Sequence, residues 1–123
     1  MERTNIAGTS PYEPVIGFSR AARVGRVVHV SGTGPVGAEE MSAAEQTRVV
    51  LSLIGKALAQ AGARFEDVVR TRIFLARAED WEEVRRAHGE VFGEIRPAST
   101  MVVAALLNLK WRLEMEAEAV IES

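Results

Sequence analysis

The chain has 123 residues, 47% of them hydrophobic and 26% charged, the balance expected of one globular domain spanning 1–123 with a single core. Its net charge of −2 lacks the basic excess with which nucleic-acid binders displace counterions, so nucleic acid is disfavoured as a partner. The lack of cysteine excludes a disulfide framework, a thiolate nucleophile and a cysteine-held metal, and with neither a long apolar run nor a signal-peptide profile the expected location is cytoplasmic, away from membranes.

In chain order, residues 10–14 read as loop, because Pro11 and Pro14 cannot donate ladder hydrogen bonds. Residues 18–24 and 27–31 are β-prone and partly alternating, with Gly25 and Arg26 between them as a tight hairpin turn. The run SGTGPVGAEEM over 31–41 is loop by composition. Ser42 and Glu45 then form a capping box for a helix whose apolar residues Thr47, Val50, Leu51, Ile54, Leu58 and Ala61 recur at helical spacing, and Gly62 ends it. Residues 68–75 alternate and are β-branched, which predicts a strand. Asp80 and Glu83 cap a second helix with the apolar face Trp81, Val84, His88 and Val91, ending at Gly93. Beyond Arg96 and Pro97, strands are expected over 100–104 and 112–120, which gives the order β-β-α-β-α-β-β.

Two amphipathic helices cover one face of such a sheet, so the fold class is α+β with the other face left open. In the last strand Leu113, Met115, Ala117 and Ala119 point one way, and Arg112, Glu114, Glu116 and Glu118 point the other. A row of carboxylates needs cations opposite, and Arg70 and Arg72 share one face of their own strand. A polar subunit interface on the helix-free face is the expected outcome.

Gly32, Gly34 and Gly37 match G-x-G-x-x-G, but the next helix opens only at Ser42, too late for its N-terminus to meet a pyrophosphate. The glycines are read instead as permitting positive φ and close backbone approach. His29 and His88 lack a ligand-spaced partner, so no metal is expected, and no cofactor motif is present. Without a nucleophile elbow or phosphate loop, a mechanism built on one carboxylate remains.

Three dispersed segments, Val30-Ser31-Gly32-Thr33, Arg96-Pro97-Ala98-Ser99-Thr100-Met101-Val102 and Leu113-Glu114-Met115-Glu116-Ala117, together resemble the signature of the RidA (YjgF-like) family of reactive-imine deaminases. The resemblance covers nearly the whole chain and implies a chorismate-mutase-like fold, assembled as a homotrimer around a central barrel with small-molecule sites in the clefts between subunits. It implies Glu114 as the catalytic group that helps water attack an imine carbon. Phe18, Ser31, Gly32, Thr33 and Thr100 are implied as substrate-binding positions. Ser99 stands where deaminating members carry the arginine that clamps the substrate carboxylate, and a serine offers one neutral hydrogen bond in place of a bidentate ion pair. Arg85 is the substrate-binding candidate for a replacement clamp, with Arg20 and Arg96 as others. The leading reading is an imine or enamine hydrolase of divergent substrate, against a non-catalytic ligand-binding module using the same clefts. Ribonuclease activity, the third reading, is disfavoured by the acidic balance and the lack of a basic and aromatic stripe.

Overall fold

Alternating and helical runs resolve into six strands and two long helices in a computed structural model that describes residues 1–122. The strands are β1 (Arg3–Ile6), β2 (Ala21–Val24), β3 (Val27–Thr33), β4 (Val68–Leu75), β5 (Ala98–Val103) and β6 (Leu113–Val120), and the helices are α1 (Ala43–Gln60) and α2 (Trp81–Phe92). They form one sheet in the order β1-β2-β3-β6-β4-β5, antiparallel except for β4 beside β5, which α2 connects. Among the described residues no helix is long and apolar enough to cross a membrane.

Period-two burial along β4 and β6 sets the layers. Thr71, Ile73 and Leu75 join Leu113, Met115, Ala117 and Ala119 beneath the helices, where Val50, Ile54, Leu58, Val84 and Phe92 complete the core. The two helices are tied to each other by the Arg48–Glu90 ion pair at 2.9 Å, and the Glu83 carboxylate accepts the Ala44 amide of the first turn of α1. The buried Gln46 amide donates to the Glu39, Met41 and Lys110 carbonyls and accepts the Arg112 amide, fastening the loop before α1 to the entry of β6.

Several local expectations hold. Ser42 caps α1 by accepting the Glu45 amide, and Gly62, at φ +85°, ends the helix with the Ala63 amide bonded back to the Leu58 carbonyl. Gly25, at φ +61°, turns the β2–β3 hairpin. Others are corrected. The chain begins with β1, a strand absent from the expected order, and residues 13–17 form a π-helical turn where loop was expected for 10–14. The first hairpin strand starts at Ala21 instead of residue 18. Asp80 makes no side-chain cap; one oxygen of its buried carboxylate faces Arg77 at 3.4 Å and Arg112 at 3.5 Å, because a buried charge gains more from two guanidiniums than from a helix amide, and the other oxygen has no hydrogen-bond partner. Trp81 leaves the apolar face for solvent, where Arg85 stacks over it at 4.9 Å, and Ala87 takes the buried position instead. The end of α2 at Gly93 is as expected, with Gly93 itself at a right-handed helical φ and the left-handed residue, Arg96 at φ +59°, three residues further on.

Candidate functional site

The site grows from an irregularity in β3. Val30 lies opposite Ala117 and Thr33 opposite Met115, so three steps along β3 match two along β6 and the Ser31-Gly32 stretch bulges. Thr33 stabilises the bulge by donating its hydroxyl to the Ser31 carbonyl at 2.8 Å, and Ser31 donates its own to the Ser19 carbonyl at 2.7 Å. The glycines are explained by close approach. A Cβ on Gly32 would stand 3.3 Å from the Glu114 carboxyl carbon, and one on Gly34 would overlap the Trp111 ring. Of the three motif glycines, Gly37 alone has positive φ.

Glu114 lies half-buried on the open face of β6, beside the bare backbone of Gly32. Burial pushes its carboxyl above the usual glutamate value; the nearby Arg20 guanidinium opposes the shift and the Glu116 carboxylate adds to it. Arg20 donates Nη2 to the Gly32 carbonyl at 2.5 Å and stands 5.8 Å from the centre of the Phe18 ring. Its Nε is buried without a hydrogen-bond partner. Desolvation lowers the Arg20 pKa, and the carboxylates of Glu13 and Glu114 work against that. The Glu13 carboxylate is held in turn by the Gly8 amide, at 3.1 and 3.0 Å to its two oxygens.

The rest of the acidic row is paired. Arg72 meets Glu116 across the β4–β6 ladder, and His29 meets Glu118 at 3.1 Å across β3–β6. Arg70, expected to join them, donates instead to the Thr100 hydroxyl at 2.7 Å. A hollow of about 630 Å³ runs along this polar face, with Phe18, Ser31, Arg72 and Glu116 in its wall and Glu114 outside it.

The chain thus brings Phe18, Arg20, Ser31, Gly32, Thr33 and Glu114 together, while Ser99, Thr100 and Arg85 lie elsewhere. Ser99 sits opposite Thr71 on β5, whereas Glu114 sits opposite Phe74 on β6, so the two are separated by β4 and three residues of strand. The Ser99 hydroxyl accepts from Thr71 at 2.8 Å, and Thr71 also meets His88 Nε2 at 3.0 Å, on the helix side of the sheet. Burial lowers the His88 pKa, which favours the neutral imidazole; with the Thr71 proton given to Ser99, the Thr71 oxygen is left to accept from Nε2. Arg85 rests on Trp81 and Arg96 is exposed, so of the three candidate clamps Arg20 is the one beside Glu114. Glu13 was missed, since nothing in the Pro11 to Pro14 stretch signals that its carboxylate folds back toward Arg20. Among the described residues no three His, Cys, Asp or Glu side chains gather as a metal-binding set.

The arrangement therefore offers a carboxylate of raised pKa, a cation beside it, an aromatic wall and a backbone wall bare of side chains. Comparison with known proteins places these residues in a family. Residues 8–121 match the family model described as Endoribonuclease L-PSP. The structure of Rv2704 from Mycobacterium tuberculosis, described as a member of the YjgF/YER057c/UK114 family, is 42% identical, covers 98% of this chain and 100% of that one, and superposes with a TM-score of 0.91. The 3-aminoacrylate deaminase RutC of Acinetobacter baylyi is 32% identical, over 91% of each chain. The 2-iminobutanoate/2-iminopropanoate deaminase of Rattus norvegicus is 32% identical over 94% of this chain and 88% of its own. With its six-stranded mixed sheet and two helices in the chorismate-mutase-like arrangement, the chain belongs to the YjgF/RidA family.

Proposed function

We propose that the protein hydrolyses a reactive imine or enamine, releasing ammonia, with Glu114 as general base at clefts between the subunits of a homotrimer. The observation that carries this reading is the Glu114 carboxyl itself, half-buried against Gly32 with its pKa raised by burial. A base works best when its pKa lies near the working pH, and burial moves the Glu114 carboxyl in that direction. Glu114 takes a proton from water as the oxygen bonds to the imine carbon and the C=N electrons move to nitrogen. The glutamic acid returns the proton to nitrogen, the C–N bond breaks, and the hydroxyl proton leaves with the ammonia. Phe18 supplies an apolar wall, and the Ser31–Thr33 bulge admits the substrate against the backbone. Two relatives, named as deaminases of 3-aminoacrylate and of 2-iminobutanoate, support the reaction type.

Assembly is supported by the polar sheet face that no helix covers and by Leu107 and Leu109, both wholly exposed in a single chain. Ser99 and Thr100, on edge strand β5, reach the cleft on this reading from a neighbouring subunit. The test generates an imine in situ with an oxidase and follows ammonia release, with light scattering on the same sample; three chain masses and an accelerated release are expected. The second reading, a binding module without catalysis, is favoured by the uncharged Ser99 and is marked by ligand-induced thermal stabilisation without turnover.

A further inference from the structure

The charges around Glu114 select among imines. Glu13 and Glu114 flank Arg20, two carboxylates against one guanidinium, so the cluster carries a net negative charge when all three are ionised. Arg20 is also poorly placed to grip an incoming carboxylate. The side-on fork of a guanidinium uses Nε and one terminal nitrogen, and here Nε is buried while Nη2 is committed to the Gly32 carbonyl. The end-on fork needs both terminal nitrogens and loses Nη2 to the same bond. Of the cations that line the polar hollow, Arg72 meets Glu116 and His29 meets Glu118, while Arg70 gives Nη2 to the Thr100 hydroxyl and Arg3 gives Nε to the Asn5 side-chain oxygen. Ser99 adds no charge from any direction, and its hydroxyl is already bonded to Thr71.

We infer that the site takes imines that carry no carboxylate beside the imine carbon, bound as iminium cations, the class formed when simple primary amines are oxidised. This rests on the reading of Glu114 as the base of an imine hydrolase and names its substrate class. An iminium brings one positive charge to a site with an excess negative one, and protonation also makes its carbon the better electrophile for water. A 2-imino acid sets an anion against Glu13 and Glu114, and Arg20, the guanidinium between them, has no free fork to receive it.

Two imines that differ only in the carboxylate test the inference. Benzylamine with a flavin amine oxidase gives the phenyl imine without it, and phenylglycine with an amino-acid oxidase gives the same imine with it. Cyanide added at fixed times traps surviving imine as an aminonitrile and the carbonyl product as a cyanohydrin, so acceleration by the protein reads as loss of aminonitrile. The expected result is acceleration of the benzylamine-derived imine by about tenfold or more over that of the phenylglycine-derived one, the order expected for one unit charge at a partly buried site. Glu13→Gln removes one carboxylate and should narrow that preference. Equal acceleration, or a faster 2-imino acid, overturns the substrate class and leaves the hydrolase reading standing. Acceleration of neither by a folded protein removes the hydrolase reading and the substrate class with it. Because the wild-type ratio alone decides between these outcomes, a Glu13→Gln chain that fails to fold does not rescue the inference.

Discussion

The two faces of β6 share a strand and a register yet do opposite work. Leu113, Met115, Ala117 and Ala119 are buried beneath α1 and α2, while Glu114, Glu116 and Glu118, one residue out of phase, look away from the helices. A slip of one residue would bury three carboxylates and expose the core, so the apolar face locks the register and thereby places the acidic row. The row is graded. Glu118 has a histidine partner and Glu116 an arginine, both in cross-strand pairs, whereas Glu114 is set against a bulge and a guanidinium already bonded to backbone. Packing makes the fold on one side; on the other, Glu116 and Glu118 have cross-strand ion pairs and Glu114 does not.

Mutating the two faces should separate those roles, and the largest effect is expected at Glu114. Glu114→Gln keeps shape and hydrogen bonding but removes the base, so turnover should fall by roughly 10²–10⁴-fold with folding and assembly intact. Ammonia release and light scattering on one sample check it. Full turnover in an intact assembly would take Glu114 out of the mechanism, and a dissociated assembly would make it a structural partner of an arginine instead. Next in size is the residue beside it. Met115 is fully buried, and Met115→Ala should cost about 2–5 kcal/mol in a urea melt, the range for emptying such a core position. Turnover per folded molecule should stay near wild type, so that adjacent residues fail different assays.

Acidity probes the open face alone. The raised Glu114 pKa means the carboxyl holds its proton to a higher pH than an ordinary glutamate, and the protonated form cannot act as base. Turnover should therefore fall as pH drops, along a limb that lies above the ordinary glutamate range. Arg20 holds that pKa down against burial, so Arg20→Met should move the limb to higher pH. A limb at the ordinary glutamate value, or one unmoved by Arg20→Met, would mean that the titrating group is another residue.

Much of this comparison is legible in the sequence because periodicity reports burial. The alternation over 113–120 and 68–75 and the helical spacing over 43–60 come from residues that see the core, and those elements appear where they are expected. The signal fails where burial is slight. β1 has one buried residue, Ile6, in four, and its pairing with β2 is a tertiary fact that leaves no period behind. Trp81 is apolar by type but finds Arg85 above it and solvent around it, and Asp80 has the composition of a cap but finds Arg77 and Arg112. In the site, Glu114, Gly32 and Phe18 come from the motif resemblance. The Glu13–Arg20 contact does not, since it depends on the π-helical turn Glu13–Gly17 and on Gly8 receiving the carboxylate.

The smallest effect belongs to the helix-covered side and serves as the control for the rest. Ser42 accepts the Glu45 amide at 3.2 Å and is exposed, away from the cluster of Glu13, Arg20 and Glu114. Ser42→Ala leaves a first-turn amide of α1 without its acceptor, at a cost of about 1 kcal/mol. For a chain of this size that lowers the melting temperature by roughly 4 °C. Ser42→Asp restores an acceptor at the same place and adds a negative charge at the positive end of the helix dipole, so it should recover the loss. Neither change touches β3, β6 or the acidic row, so turnover per folded molecule and its pH limb should match wild type. If Ser42→Ala instead shifted the pH limb, the helix layer and the open face would be coupled through the sheet, and the division of labour across β6 would not hold.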